Sequence, residues 1–164
     1  MSSLFARLRS IHPALWLAAL DLVGLLVAAY LSIVELNGGV PSCGVLHGCE
    51  QVATSEYSRL FGIPVAVFGV VLSGTLLSLA LAWWKRGGVP LLLAHYSLSL
   101  VGVIFEIRFT YLQVFVIGAV CVWCATYGIS LLARFIIALY VWIRRDRYLG
   151  PRMAPDESPA EIPG

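Results

Sequence analysis

The chain has 164 residues, of which 60% are hydrophobic and only 12% charged. A soluble domain carries roughly 25% charged residues, so this composition excludes an ordinary soluble enzyme and points to a membrane protein. The net charge of +2 says little, and no nucleic-acid partner is expected; the placement of the charges is more informative.

A helix needs about 20 apolar residues to cross a hydrocarbon core ~30 Å thick. Four stretches meet that length, at about residues 14–36, 63–84, 91–116 and 119–143. The predicted fold class is all-α and integral to the membrane, a four-transmembrane-helix bundle over residues 14–143. Residues 1–13 and 144–164 flank it, the latter basic and then disordered, since "APDESPAEIPG" has no periodicity and three prolines. The first stretch is too long for the apolar part of a cleaved signal peptide. Asp21 interrupts it. A mid-membrane Asp costs about 2.5–3.5 kcal/mol, and each Leu, Ile or Val returns about 0.3–0.6. A dozen such residues accompany Asp21, so insertion prevails and the carboxylate is expected to face the bundle interior.

The connections set the orientation. Arg7, Arg9, Lys85, Arg86, Arg144, Arg145, Arg147 and Arg152 fall on one side, eight of the eleven basic residues. Residues 37–62 contain only Arg59. The excess of Lys and Arg on cytoplasmic loops predicts both termini inside, in line with an even number of spans. Trp83, Trp84 and Trp142 are expected as an inner aromatic belt. The loop of residues 37–62, with Cys43 and Cys49, is then outside, as is the junction holding Cys121 and Cys124.

All four cysteines thus meet at one face, in an oxidising compartment. Three chemistries are open: structural disulfides, a four-thiolate zinc site, or a redox relay. A bridge within "CVWC" closes a short loop and contributes only ~2 kcal/mol on the loop-entropy estimate. Zinc pairs are usually spaced by two to four residues, and five separate Cys43 from Cys49. A Cys-x-x-Cys at a helix N-terminus feels the positive end of the dipole, which stabilises a thiolate. Thiol–disulfide exchange could pass electrons from the loop pair to it. At the buried end only a lipid-soluble oxidant can follow, and a membrane quinone meets that need.

The loop pair, the run "EQVATSEYSRLFGIP" after it and "FVIGAVCVWCATYG" opening the last helix resemble the bacterial vitamin K epoxide reductase family, over about residues 15–144. DsbB-type oxidases carry their Cys-x-x-Cys in the first outer loop, so this cysteine order argues against them. The resemblance implies a membrane thiol:quinone oxidoreductase that supports disulfide formation in the bacterial cytoplasmic membrane. Its quinone would be ubiquinone, menaquinone or a phylloquinone. It also implies roles. Cys124 faces the quinone, Cys121 exchanges with the loop, Cys49 shuttles to Cys121, and Cys43 takes electrons from a thioredoxin-like protein. Ser55 matches a family serine set in a short helix capping the site. Ser58 falls where mammalian relatives place a quinone-contacting Asn. Those relatives carry a Tyr four residues after the last Cys. Here Gly128 holds that place, and Tyr127 is the nearby candidate for the quinone site. Some bacterial members carry a fused thioredoxin domain; none follows in this sequence, so a separate DsbA-like extracytoplasmic partner is expected. The alternative from another class is a non-enzymatic membrane protein with structural disulfides.

Other polar residues have plainer expectations. His47 is an exposed loop residue, or one that lowers a nearby thiol's pKa. Glu106 and Arg108 snorkel or pair with the loop near the end of the third span. Arg134 needs an internal partner such as Asp21. Trp123 is an interfacial anchor or shapes the quinone mouth. Gly69, Gly74 and Gly102 are expected at close helix contacts.

Overall fold

The structure, a computed structural model, describes residues 13–43 and 48–144. His47, Arg7, Arg9, Arg145, Arg147, Arg152 and the tail lie outside the described residues. Helix α1 spans Pro13–Leu36, the short α2 Gly48–Thr54, α3 Val65–Arg86, α4 Val89–Tyr111 and α5 Val122–Ile143. Each long helix is long and apolar enough to cross a membrane, α4 together with the π-helical stretch that carries it on to Ile117. Helix α1 packs chiefly against α3 and α5, and α4 against α5 and α3.

Three boundaries differ from expectation, each for a local reason. The second span begins at Val65 and not Ile63, because Ile63–Pro64 (β2) pairs antiparallel with Arg59–Leu60 (β1). The hairpin tip, Phe61 and Gly62, takes φ of 53° and 82°, the positive values a type I′ turn needs at both central residues. The fourth span begins at Val122 and not Ala119, since Cys121 is the extended N-cap residue with φ −84° and ψ 120°. The third span does not end as a regular α-helix near residue 116. Its π-helical segment Leu112–Ile117 stops at Gly118, whose φ of 72° turns the chain back toward α5.

The end of the bundle away from the redox loop is closed by a cluster of Ala14, Leu17, Ala18, Ala80, Trp83, Leu92, Ala138 and Val141. Trp83 is therefore core, 2% exposed, and not part of an interfacial belt; its neighbour Trp84 is 49% exposed. Gly69 and Gly102 do sit at close contacts, with Ala28 and Leu72, but Gly74 has nothing within 4 Å of where a β-carbon would stand.

Between that cluster and the loop end lies a buried ionic group. Arg134 Nη1 donates to Asp21 Oδ1 at 2.9 Å, and His95 Nε2 pairs with Asp21 Oδ2 at 3.0 Å. Ser99 Oγ stands 3.5 Å from His95 Nδ1, and Arg134 Nη1 also reaches Ser73 Oγ at 3.4 Å. Arg134 thus finds the internal partner expected of it in Asp21, and His95 is a third member that hydropathy alone did not mark. Removing one partner of such a buried pair costs about 3–5 kcal/mol, because the other charge is left uncompensated.

Candidate functional site

The loop reaches the bundle through a close backbone approach. A β-carbon at Gly48 would collide with the Val120 backbone, so glycine lets α2 lie directly against the segment entering α5. That seats Cys49, the second residue of α2, in a cluster with Val52, Ala119 and Cys121. Cys43 and Cys49 form a disulfide, with Cα atoms 5.8 Å apart. The sulfurs of Cys43, Cys49 and Cys121 all lie within 4.8 Å of one another. Cys43 is half-buried, whereas Cys49 and Cys121 are buried. A four-thiolate zinc site needs four deprotonated thiols, and the bridge ties up two of these sulfurs.

Cys121 is positioned by Gln113 from the π-helical turn. The Cys121 amide donates to Gln113 Oε1 at 2.9 Å, and the Ala119 amide to the Gln113 carbonyl at 3.0 Å. Gln113 is 2% exposed. It was not singled out in the sequence, although a lone amide in an apolar run beside "CVWC" is the kind of residue that membrane burial makes significant. Cys121 and Cys124 are free thiols. The Cys124 amide donates to Cys121 Sγ at 3.4 Å, so the sulfur itself caps α5. The Cys121 thiol is held below its ordinary range, at about 7. The Cys124 side-chain hydrogen bond is the largest cause; the Cys124 and Trp123 amides add to it, and burial opposes it. A sulfur poised in this range is an effective nucleophile near neutral pH.

Trp123 fastens the other side of the loop. Its Nε1 donates to the Ser42 carbonyl at 3.0 Å, and its ring meets Tyr30 with centroids 4.8 Å apart. It holds the segment entering Cys43 against α5 and does not line the cavity described next.

Beneath the sulfurs is a cavity of about 630 Å³ between α1, α3, α4 and α5, capped by the loop. Ligand pockets run to roughly 300–1,000 Å³ with apolar walls and a few polar groups, and this cavity lies within that range. Ala28, Leu31, Phe68, Leu72 and Phe105 are among its apolar walls; Cys121, Cys124, Tyr127 and Glu106 are among its reactive or polar groups.

The candidate residues divide. Cys49, Cys121, Cys124, Ser58 and Tyr127 all line the cavity. Ser58 is buried, but its hydroxyl donates to the Ser55 carbonyl at 2.9 Å. Ser55 does not line the cavity. It follows α2 and is not within it, and its Oγ donates to the Val52 carbonyl at 2.7 Å, closing the cap on itself. Tyr127 OH donates to the Gly69 carbonyl at 3.4 Å and accepts from Ser73 Oγ at 3.3 Å. Ser73 also accepts from Arg134, so Tyr127 links the cavity to the ionic group below.

Residues 15–139 match the Vitamin K epoxide reductase family, whose members are in general membrane oxidoreductases that use quinones and work with thioredoxin-like proteins. The bundle of four spans, the loop disulfide and the Cys121/Cys124 pair beside it agree with that match. The chain is a multi-pass membrane protein and belongs to the vitamin K epoxide reductase family.

Proposed function

We propose that the chain is a membrane thiol:quinone oxidoreductase that reoxidises a separate thioredoxin-like, DsbA-like protein outside the cytoplasm. The observation that carries this is the convergence of three sulfurs within 4.8 Å, two bridged and one free, above an apolar cavity lined by Cys124. Structural disulfides alone would not need a free dithiol beside a bridge.

The electrons follow the order of burial. A partner thiolate attacks the half-buried Cys43, the S–S bond to Cys49 breaks, and Cys49 leaves as thiolate. Within reach of Cys121, it attacks that sulfur when Cys121 is bridged to Cys124. Cys124 is released, and the Cys43 thiolate, freed when the partner's second thiol resolves its own mixed disulfide, displaces Cys121 from Cys49. Each exchange breaks one S–S bond and forms one. The loop pair is oxidised again, and Cys121 and Cys124 hold two electrons and two protons. A membrane quinone held in the cavity beside Cys124 would supply the acceptor for those two electrons and two protons. Around it, the chain's apolar walls exclude water, and Tyr127 and Ser58 are the polar side chains that would orient a ring beside Cys124.

The membrane is the bacterial cytoplasmic membrane, with both termini inside. A cysteine introduced at Gly39 should label with an impermeant thiol reagent in intact cells, and one at Lys85 should not. The reverse pattern would place the cysteines in a reducing compartment and end the proposal. The activity itself is tested by mixing purified protein with a reduced DsbA-like donor and a soluble quinone. Quinol formation dependent on both is expected. A loop bridge that stays oxidised whatever the quinone supply would leave only structural disulfides.

A further inference from the structure

One carboxyl on the cavity wall has no task in this electron path. Glu106 lies in the spanning part of α4 and lines the cavity with Cys121, Cys124 and Tyr127. An ionisable group at that depth is costly and marks function more often than packing.

The facing helix is cut away to receive it. Gly128 is four residues after Cys124, on the same face of α5 and about 6 Å deeper along the axis. A β-carbon on Gly128 would stand 2.6 Å from Glu106 Oε1 and 3.0 Å from its carboxyl carbon. No other side chain comes as near, and Gly128 does not take a left-handed φ. Glycine weakens a helix interior, so the residue answers to the space its neighbour needs. The carboxyl is thereby seated one turn below Cys124, interacting electrostatically with Cys121, Cys124 and Arg134.

Among the described residues, two other carboxylates reach the cavity. Glu35, at the end of α1, and Glu56, in the cap, also line a second groove together with Arg59. Glu106 does not line that groove. Among the described residues, Arg108, from α4 itself, is the remaining basic group on the cavity wall.

When the Cys121–Cys124 disulfide closes, two S–H bonds break, one S–S bond forms, and two electrons and two protons leave for the quinone. We propose that Glu106 is the catalytic base for this step: its carboxylate takes the proton of Cys124 and passes it to the quinone oxygen, returning to carboxylate. This rests on the thiol:quinone reading above.

The test uses the whole chain in lipid discs, with Glu106→Gln, Glu106→Asp and Glu35→Gln beside wild type. Without quinone, infrared difference spectra between the dithiol and disulfide forms of Cys121–Cys124 should contain a shifted carboxylate stretch, because the carboxylate loses the Cys124 S–H beside it. That band should vanish in Glu106→Gln and persist in Glu35→Gln. In single turnovers with a soluble quinone, Glu106→Gln should lose about 10²-fold or more in quinol formation, with Glu106→Asp recovering part of it. Quinone binding and exchange with the loop pair should keep their wild-type values. A Glu106→Gln protein that reduces quinone at the wild-type rate, or a band assigned to Glu35, overturns the role of Glu106 and leaves the oxidoreductase standing. A wild-type protein that never reduces quinone overturns both.

Discussion

Asp21, His95 and Arg134 are at most 1% exposed, and the two cations both bind the one carboxylate. At the loop end, Cys49 and Cys121 are almost as deeply buried, yet they sit beside a free thiol and a cavity of about 630 Å³. Burial alone therefore does not separate a structural polar group from a reactive one. What separates them is whether the bonds they make can be exchanged. In the ionic group Asp21 has both oxygens paired, so its task is to hold α1, α4 and α5 in register. In the thiol group the bonds are exchangeable, because a third sulfur stands within reach of the bridge.

The contrast is tested most severely by Cys124→Ser. It should abolish quinone reduction while leaving helix content and thermal midpoint as in wild type, read by quinol absorbance and circular dichroism. Turnover at an appreciable rate would remove Cys124 from the quinone end.

Arg134→Leu should act in the opposite manner. It strands the Asp21 carboxylate, so stability should fall by about 3–5 kcal/mol, measured by denaturant titration in detergent. Asp21→Asn added to Arg134→Leu should recover much of the loss. If Arg134→Leu instead leaves stability intact and stops the enzyme, the ionic group belongs to the chemistry and the contrast fails.

The order of exchange is the next test. Cys43→Ala removes the resolving thiol, so a Cys49–Cys121 bridge should accumulate, identified by peptide mass spectrometry after alkylation without reductant. Cys49→Ala should trap a Cys43–Cys121 bridge to a smaller extent. Equal trapping would reverse or blur the assignment, although the geometry places both loop sulfurs near Cys121.

A smaller effect concerns acidity. With the loop bridge intact, alkylation of Cys121 should be slow in acid, where the thiol is protonated. It should speed up as pH rises through about 7, where the thiolate forms. Cys124→Ala removes the largest cause of the lowered value, so its midpoint should move upward. A midpoint that stays put would assign the effect to the amides of the helix N-terminus.

Trp123→Phe is the mildest change. It deletes the hydrogen bond to the Ser42 carbonyl, worth about 0.5–1.5 kcal/mol net, and should loosen the Cys43 segment. Faster hydrogen exchange near Ser42 with near-normal turnover is the expected outcome.

Much of this arrangement was legible in the residue order. The four spans follow from the length of the apolar runs, since backbone polar groups in hydrocarbon must be satisfied within a helix. The gathering of four cysteines at one end follows from an even count of crossings between the pairs. Asp21 and Arg134 had to find internal partners for the same electrostatic reason. Other features depend on how the helices are rotated and how deep they sit. Each residue of a helix turns the side chain by about 100°, and spans that are apolar on every face give no periodicity from which to read that rotation. Hence His95 joining Asp21, Gln113 holding Cys121, Ser55 turning away from the cavity and the Glu106 carboxyl lying against Gly128 were decided only by tertiary packing.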